Sequence, residues 1–455
     1  MNRKVLVVIE TLLLVIFISA TIILAQKLRF DPQKGFTATA GIRIDGIKHA
    51  QVIIDKEKRD DTPVTVDYLT SNQYDLKISK QNRTTWIDNI SVVPQFITRV
   101  YPVLFPSKIE ANVKIEDMVS VFSVTTHDSF FYTKFNPVHH LELHRYSLLQ
   151  NLFGDSVEDK KIYEFLPADS IDKIDLIPSP TGQKAILKLG NNIYIINADA
   201  NLKSLGNIVN LPSNLSTLTW SLNEKFLIFD SSNIIYSYDI SSQQKYVVGQ
   251  SDQNITYKFM DVTSNKLLLM RYENDHKNTA LFQTNIDGTN PQKLNISNDL
   301  TNLQTARIYP NDVGLLLQIS DHLFKASVDN LNVEPIMGSS VYMIDRVNNI
   351  IITKNVNKFE IYNLVDDTHQ SINLDPAVID NLSIYFKNSN FIFLNHQGKL
   401  NLLESSYVTG SNQTVIDTGS ITPLISWKKS DVVRIFYARQ KSNNNWSLNA
   451  VEFEN

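Results

Sequence analysis

Three side chains that could hold a metal ion stand close together in the first half of the chain. His140, Glu142 and His144 are separated by single leucines. On a β-strand this alternation places the two imidazoles and the carboxylate on one face and the leucines on the other. Imidazole and carboxylate groups are common zinc ligands, but the same pattern is typical of the polar face of an outer strand. We adopt the second interpretation, and we therefore predict no metal site here.

A second segment resembles the beginning of a calcium-binding loop. Asn197 to Asn201 reads Asn-Ala-Asp-Ala-Asn, which places oxygen-bearing side chains at alternate positions. The segment lacks the glycine and the distal glutamate that complete such a loop. It also lies where a turn between two strands is needed. We therefore predict a turn and no bound calcium.

The sequence contains no other pattern that indicates catalysis. Gly-x-Ser-x-Gly, His-Glu-x-x-His and Gly-x-x-x-x-Gly-Lys are all absent. The absence of cysteine excludes disulfides, thiol nucleophiles and thiolate metal sites. With 43 basic against 47 acidic residues, the net charge of −4 gives no reason to expect a nucleic-acid partner. We predict no catalytic, cofactor-binding or metal-binding residues, and hence a protein that is not an enzyme.

The elements that would position these side chains recur along the chain. A turn followed by a short apolar run appears about every 40 residues, and a period of that length with about four short strands is typical of a β-propeller blade. A β-sandwich array or a β-solenoid is the alternative, although the units are too long for solenoid coils. The junctions between turn and run fall at Lys184, Lys225, Lys266, Gly314, Asn349, Asn390 and Asp431, with a weaker one at Ser129.

The repeat predicts a mainly β fold with a C-terminal propeller of eight blades, seven being the alternative. The last unit offers three strands between Ile421 and Phe453, and the chain then ends one strand short. Ile109–Ile115 alternates in polarity and precedes the first apolar strand of the repeat, Val119–Thr125. We predict that Ile109–Ile115 completes the last blade and so ties the two ends of the ring together.

Two of the repeated turns carry a family resemblance. Trp220 to Phe229 reads Trp-Ser-Leu-Asn-Glu-Lys followed by Phe-Leu-Ile-Phe. This resembles the Trp-Ser-Pro-Asp-Gly-Lys core of TolB-like, WD40-like propeller repeats, and Ser179–Lys184 resembles it more closely. The later units have lost the proline and the glycine. The resemblance covers about Ala168 to Asn455, and it implies a fold without identifying a partner.

An apolar run near the N-terminus predicts a membrane anchor. Val5 to Ala25 follows the basic tip at residues 1–4, and Glu10 is its one charged residue. A helix of this length spans about 31 Å, the thickness of the hydrocarbon core of a bilayer. A cleaved signal peptide is the alternative, but Ile18 and Ile23 fit poorly three residues before the candidate cleavage sites. We predict one uncleaved helix with the N-terminus inside.

The region between the anchor and the repeats resembles a PEGA domain, a small β module. Ala50–Asp55, Thr62-Pro63 and Trp86 match the Ala-x-Val-x-Ile-Asp, Thr-Pro and Trp positions of that family, and Tyr74–Ile78 matches its alternating strand. The region departs from the family at turn glycines, one of which is replaced by Lys56. The predicted strands are Gln51–Ile54, Val64–Val66, Tyr74–Ile78 and Ile87–Val93, with a further strand in Gly41–Gly46.

Together these features predict a single-pass bacterial membrane protein whose bulk lies outside the cytoplasm. The membrane is then one partner, and a protein or a cell-envelope glycan, docked through the propeller, is the other. An envelope hydrolase or lyase with an active site at the channel mouth, or a regulatory propeller of a protease or transport complex, is the alternative. The predicted segments are a tip at 1–4, an anchor at 5–25, a stalk at 26–35, a PEGA-like domain at 36–105 and a propeller at 106–455.

Overall fold

The protein is described here from a computed structural model. The described residues form almost entirely β structure, in one small N-terminal group of sheets and one long series of sheets. The structure describes residues 12–18, 28–31, 35–107, 109–124, 128–151, 154–165, 174–189, 192–198, 206–207, 215, 217–273, 279–294, 303–308, 314–320, 322–327, 333–336, 340–345, 350–354, 358–363, 369–373, 384–385, 391–396, 399–404, 413–419, 421–429, 432–442 and 445–454.

The predicted anchor falls largely outside these residues. Residues 12–18 are helical, and the rest of the span from 5 to 25 is not described. Within the described part of the chain, no helix has the length and apolar character needed to cross a membrane. The predicted stalk at 26–35 contains β1 (Leu28–Asp31), which pairs antiparallel with β2 (Gly35–Ala38). The chain therefore forms a β-hairpin before it enters the next domain.

The small domain consists of two sheets. The first has three strands in the order β6-β3-β9, and the second has four in the order β5-β4-β7-β8. The predicted strands are confirmed, and β5 and β9 are additional, with β9 lying parallel to β3. The strands are β3 (Ala40–Ile44), β4 (Gln51–Ile54), β5 (Glu57–Lys58), β6 (Val64–Leu69), β7 (Gln73–Ser79), β8 (Trp86–Ser91) and β9 (Ile97–Val100).

Alternating side chains of both sheets share one apolar core. Tyr74, Leu76 and Ile78 on β7 are buried in the same cluster as Ile42 on β3, whereas the residues between them on β7 are exposed. Trp86 is also buried there, as the first residue of β8 rather than as a residue before it. This alternation is the one-sided pattern predicted from the sequence.

The turn after β4 shows how a non-glycine residue is tolerated where the PEGA family has glycine. Lys56 adopts a φ of 73° and Asp55 a φ of 47°, which most side chains avoid. The turn is held by two bonds across the sheet, because Asp55 N donates to Asp75 O and Asp75 N donates to Asp55 Oδ1, both at 2.9 Å. These two bonds hold the backbone in a conformation that a glycine would adopt without such support.

The strands of the repeat region follow one another in groups of four. Each complete group is an antiparallel sheet whose strands lie side by side in chain order. The first strands are β10 (Asn112–Ser123), β11 (Ser129–Phe135), β12 (Leu141–Asn151) and β13 (Gly154–Glu164). The next group is β14 (Ile174–Pro178), β15 (Lys184–Leu189), β16 (Asn192–Asn197) and β17 (Gly206–Asn207). It is followed by β18 (Thr217–Trp220), β19 (Phe226–Ser231), β20 (Ile234–Asp239) and β21 (Lys245–Gln250). Then come β22 (Ile255–Val262), β23 (Lys266–Glu273), β24 (Thr279–Asn285) and β25 (Gln292–Leu294).

The second half of the region continues the same pattern. Three further sheets of four are present, and three strands remain at the C-terminus. The sheets are β26 (Leu303–Ile308), β27 (Gly314–Ile319), β28 (His322–Ser327) and β29 (Val333–Ile336); β30 (Ser340–Asp345), β31 (Ile350–Lys354), β32 (Lys358–Asn363) and β33 (His369–Asn373); and β34 (Ile384–Tyr385), β35 (Phe391–His396), β36 (Lys399–Glu404) and β37 (Gln413–Thr418). The remaining strands are β38 (Ile421–Lys429), β39 (Val432–Ser442) and β40 (Asn445–Glu454).

Strand β10 joins the two ends of this series. Its first half pairs with β40, from Asn112 opposite Ala450 to Met118 opposite Trp446, and its second half pairs with β11. The result is a seven-stranded sheet in the order β13-β12-β11-β10-β40-β39-β38. With β10 counted in both halves, the described sheets amount to eight four-stranded units. The prediction that this segment completes the last unit is confirmed, although the strand begins at Asn112 rather than at Ile109.

The two halves of the seven-stranded sheet face each other. Phe130 and Tyr146 from one half share a buried core with Phe436 and Leu448 from the other. The sheet is therefore folded at β10, where Asp117 has a φ of 58° beside two register shifts. We call β10 to β13 the first blade, the following six sheets the second to seventh blades, and β38 to β40 with the start of β10 the eighth blade.

Shared apolar cores also join successive blades. Phe131 of the first blade packs in one cluster with Leu187 of the second, and Ile186 of the second packs with Trp220 of the third. The third and fourth blades, and the fourth and fifth, share cores of the same kind. Four-stranded sheets that pack face to face in chain order and close through a terminal strand define a β-propeller.

In three consecutive blades, a side-chain hydroxyl accepts a hydrogen bond from a backbone N–H across the turn between the first and second strands. Ser179 Oγ accepts from Lys184 N at 3.0 Å, Ser221 Oγ accepts from Phe226 N at 3.0 Å, and Thr263 Oγ1 accepts from Lys266 N at 3.1 Å. A hydroxyl that caps the turn in this way can hold it without the proline and glycine of the TolB-like pattern.

Replacing Gly182 in this turn with alanine is expected to lower the free energy of unfolding by about 1 to 3 kcal/mol. Gly182 has a φ of 69°, and a Cβ there would lie 2.6 Å from Ser129 Oγ and 2.9 Å from Val124 Cγ2. Gly46→Ala is the control, because Gly46 also has a positive φ, 100°, but open space around it. Urea unfolding should show the larger loss for Gly182→Ala. Equal losses would mean that the collision contributes nothing.

Candidate functional site

Polar side chains from three neighbouring strands of the first blade form one continuous hydrogen-bonded cluster. We call this cluster the blade-one network. It contains the histidines and the glutamate that the sequence singled out, together with partners from β11 and β13. Its members are Tyr132, His140, Glu142, His144, Asp159, Lys161 and Glu164.

His144 lies at the centre of the network. Its Nδ1 is 3.1 Å from Asp159 Oδ1 and its Nε2 is 3.1 Å from Glu142 Oε2. The ring stacks on the ring of Tyr132, with centroids 5.0 Å apart. Two carboxylates thus face the two nitrogens of one imidazole, and a ring that carries a proton on each nitrogen can donate to both.

Tyr132 anchors the inner end of the network. Its side chain is fully buried, and its hydroxyl donates to Asp159, with distances of 2.8 Å to Oδ1 and 2.7 Å to Oδ2. Burial and the neighbouring carboxylate of Asp159 raise the pKa of the Tyr132 phenol well above its usual range. Tyr132 is therefore held as a neutral hydrogen-bond donor rather than as a nucleophilic phenolate.

Lys161 and His140 complete the outer end. Lys161 Nζ lies 3.0 Å from Glu142 Oε1 and 3.0 Å from Glu164 Oε2, and so bridges the two glutamates. His140 Nδ1 lies 2.8 Å from Glu164 Oε1. These outer groups are about one-third exposed, whereas Glu142 and His144 are 8% and 7% exposed. The network thus extends from the core of the blade to its surface.

The carboxylates of the network are held in their charged form. Burial alone would raise the pKa of Glu142, but hydrogen bonds from Lys161 and His144 outweigh it, so that this pKa lies below its ordinary value. Burial would also raise the pKa of Asp159, but hydrogen bonds from His144 and Tyr132 outweigh it, so that this pKa too lies below its ordinary value. The bond from His140 lowers the pKa of Glu164. The network therefore stabilises three anions with donors from adjacent strands.

Acidification is expected to weaken the fold through these three carboxylates. Because each folded pKa lies below the unfolded one, their contribution to stability is complete above the unfolded pKa values, near 4, and is lost as the pH falls through the folded values. Urea unfolding of the full chain between about pH 6 and pH 3 should show a smaller loss for Glu142→Gln than for the unchanged chain. Parallel pH profiles of the two proteins would contradict this.

The structure changes the interpretation of the histidine pattern in one respect. His140, Glu142 and His144 do share a face, but β12 is the third strand of its blade and β13 is the outer one, so that Glu142 and His144 are buried. All three side chains are hydrogen-bonded to other members of the network. Among the described residues, no group of three or more His, Asp or Glu side chains is arranged to hold a metal ion.

The calcium-like segment, Asn197 to Asn201, lies mostly outside the described residues. Asn197 is the last residue of β16 and Ala198 is buried just after it, while residues 199–201 lie outside the described residues. The prediction of a turn without calcium at Asn197 to Asn201 therefore stays a prediction.

Hydrogen-bonded pairs of tyrosine and carboxylate recur in other blades. Tyr437 Oη donates to Asp417 Oδ2 at 2.7 Å, and Tyr362 Oη donates to Glu360 Oε2 at 2.9 Å. Burial and the bonded carboxylate raise the pKa of both phenols above their usual range, as they do for Tyr132. The pair of Tyr132 and Asp159 is thus one example of a bracing device that the fold uses repeatedly.

Side chains in the turns also connect neighbouring blades. Glu224 Oε1 accepts from both the backbone N and the Oγ1 of Thr181, each at 2.6 Å. Trp220 Nε1 donates to Ile177 O at 3.1 Å, and Asn223 Nδ2 donates to Ser264 O at 2.7 Å. These bonds tie the second blade to the third and the third to the fourth, so that the blades are fixed relative to one another.

Glu224 occupies a turn position at which the TolB-like pattern has glycine, and its contacts explain how a glutamate fits there. In the third blade it occupies the position that Gly182 occupies in the second, and it has a similar φ, 59° against 69°. The backbone cost of a positive φ for glutamate is offset by its two bonds to Thr181. A glutamate at this position thus forms a clamp between the second and third blades.

The comparisons with known proteins give only distant likenesses. No family model and no curated protein matches the chain, and so the resemblances to PEGA domains and TolB-like repeats stay predictions.

Solved structures with similar folds include three proteins of different kinds. Dipeptidyl peptidase 4 of Porphyromonas gingivalis is 11% identical, with 74% of this chain and 59% of that chain covered and a TM-score of 0.46. An oligogalacturonate lyase in complex with manganese is 8% identical, with 69% of this chain and 96% of that chain covered and a TM-score of 0.42. A chain of a mitotic checkpoint complex is 13% identical, with 60% of this chain and 87% of that chain covered and a TM-score of 0.37. The assignment of a propeller rests on the order and packing of the sheets.

Proposed function

We propose that this chain is a membrane-anchored, non-enzymatic binding protein of the bacterial cell envelope. Residues 5–25 form the anchor, the N-terminus lies inside, and the small β domain acts as a spacer or as an envelope-binding unit. The propeller presents its loops as a rigid surface for a protein partner or an envelope glycan, because loops on a fixed scaffold are where binding usually resides.

The observation that carries this proposal is the way the blades are locked together. Strand β10 joins the first and last blades by backbone pairing, and side-chain bonds join the second blade to the third and the third to the fourth. The most elaborate polar cluster is used for bracing, because its carboxylates and imidazoles bond to one another. A scaffold with this much internal fixation presents its loops at constant spacing, which favours docking.

Capture from envelope extracts tests the proposal against catalysis. The full chain in detergent is expected to retain a protein or a glycan reproducibly and to turn over no substrate in a broad glycosidase, esterase and peptidase screen. Retention should survive His140→Ala without added metal, because His140 is engaged with Glu164. Reproducible turnover that is abolished by substitutions at the channel mouth would replace this proposal with an envelope hydrolase or lyase. Retention of a protease or a transport complex would favour the regulatory role.

The topology has its own test. External protease applied to intact cells is expected to digest the bulk of the chain, because residues from Gln26 onward are proposed to lie outside. A C-terminal epitope that stays protected until the cells are lysed would reverse the orientation.

A further inference from the structure

Four exposed side chains form an apolar tip on the small domain. Val93, Phe96 and Ile97 are 55%, 67% and 43% exposed, and Tyr68 is 49% exposed. Val93 and Phe96 lie in the short segment that leads into β9, Ile97 is the first residue of β9, and Tyr68 lies in β6. We call these four residues the apolar tip. None of them carries a charge.

The apolar tip is held in place by backbone bonds. Gln95 N donates to Thr39 O at 2.8 Å, Phe96 N donates to Val93 O at 3.2 Å, and Gly41 N donates to Phe96 O at 3.0 Å. Tyr68 has a φ of 62° where the pairing of β6 with β3 shifts register. A bulge of this kind redirects a side chain. The tip is therefore a fixed feature of the fold.

All four residues lie at the end of the sheet where the chain arrives from the N-terminal side. Strands β3 and β9 are parallel, so that Ile97 at the start of β9 lies beside Gly41 at the start of β3. The end of β6 lies at the same edge, because Leu69 pairs with Ala40. The apolar tip thus surrounds the point at which the chain enters β3.

The distance from this point to the proposed anchor is short. Strand β1 begins at Leu28, which pairs with Ala38, two residues before β3. Only three residue steps separate Leu28 from Ala25, the last residue of the proposed span. Three residues reach about 10 Å even when fully extended. If the anchor crosses the bilayer, the apolar tip is consequently held close to the membrane surface.

We propose that the apolar tip inserts into the interfacial layer of the membrane that the anchor crosses. This inference rests on the anchor of the proposed function and adds a second membrane contact to it. Aromatic side chains favour the interface between headgroups and acyl chains, and exposed aliphatic groups beside them gain by leaving water. Because the tip is uncharged, the contact is expected in zwitterionic as well as anionic lipid. It would hold the small domain against the membrane surface.

The absence of cysteine makes a direct test possible, because a single introduced cysteine is then the only site for a thiol-reactive dye. The full chain is reconstituted in nanodiscs of zwitterionic lipid as Phe96→Cys, Val93→Cys, Tyr101→Cys or Leu14→Cys, each labelled with an environment-sensitive fluorophore. Tyr101 is the matched control, because it is also about half exposed but follows the opposite end of β9. Leu14 reports on insertion of the anchor.

Labels at Phe96 and Val93 are expected to show a blue-shifted emission and quenching by lipids that carry a spin label near the headgroup. The label at Tyr101 is expected to behave as it does in buffer. If the labels at Phe96 and Val93 match that at Tyr101 while the label at Leu14 is quenched, the tip proposal is wrong and the anchor stands. An unquenched label at Leu14 would overturn the anchor and the tip proposal with it. A protein occupant of the tip would leave Phe96 unquenched in these lipid-only discs.

Discussion

Replacement of Phe436 by alanine is expected to lower the free energy of unfolding by about 3 to 5 kcal/mol. Phe436 is buried on β39, and its ring lies 5.7 Å from that of Tyr146 on β12, in the core that joins the eighth blade to the first. The substitution leaves a cavity at the seam where the two ends of the chain meet. Urea unfolding of the full chain in detergent micelles measures the loss.

Phe135→Ala is the matched control for this substitution. Phe135 ends β11, and its side chain is about half exposed. The same chemical change there should cost less than about 1 kcal/mol, because surface substitutions rarely cost more. Similar losses for Phe436→Ala and Phe135→Ala would mean that the first and eighth blades are not packed against each other as the structure shows.

Replacement of His144 by leucine is expected to lower the free energy of unfolding by about 1 to 3 kcal/mol. His144 is buried and lies between the carboxylates of Asp159 and Glu142. Leucine removes one partner of each carboxylate, while Lys161 still bonds to Glu142 and Tyr132 still bonds to Asp159. The same unfolding measurement near neutral pH detects this loss.

His140→Leu is the control, four residues before His144 on the same face of the chain. His140 has one partner, Glu164, and both side chains are about one-third exposed. An ion pair of that exposure contributes about 0 to 1 kcal/mol. If His144→Leu proved as mild as His140→Leu, the blade-one network would not be a structural brace. The case for a reactive site at His144 would then be stronger.

The repeat and much of the fold could be predicted because they depend on local patterns. Short apolar runs after polar turns mark the second strand of each blade, and the alternation of Tyr74, Leu76 and Ile78 marks a one-sided strand. Strand β9 could not be predicted in the same way, because its partner β3 lies more than 50 residues earlier and pairs with it in parallel. The hairpin of β1 and β2 was not predicted either, because β1 lies in the segment that was predicted to be a stalk.

The blade-one network could be predicted only in part. The spacing of His140, Glu142 and His144 shows that they share a face of a strand. It does not show which strands flank them, and hence it misses Tyr132 and Asp159, whose side chains meet across the blade. That meeting depends on the register of β11, β12 and β13, which includes a shift between Leu143 and His144. Register shifts of this kind have no clear sequence signal.

The turn at Glu224 shows why a motif that expects glycine can fail to match although the turn forms. Glu224 has a φ of 59° and uses its carboxylate to hold Thr181 of the preceding blade. This contact offsets the backbone cost of a positive φ, which glycine would not incur.

Closure of the ring by β10 is the feature on which a rigid docking platform depends, and a disulfide tests it directly. Asn112 lies opposite Ala450 in the pairing of β10 with β40. Residues opposite each other in antiparallel strands have Cα atoms about 4.5 to 5.5 Å apart, within the range that a disulfide can bridge.

The chain has no other cysteine, so that any intramolecular disulfide in Asn112→Cys/Ala450→Cys must join these two positions. Mild oxidation of the full chain is expected to give one intramolecular disulfide, seen as faster migration on a non-reducing gel, whereas the off-register pair Asn112→Cys/Glu452→Cys should form little. Failure of the first pair to close, or equal closure of both pairs, would contradict the ring.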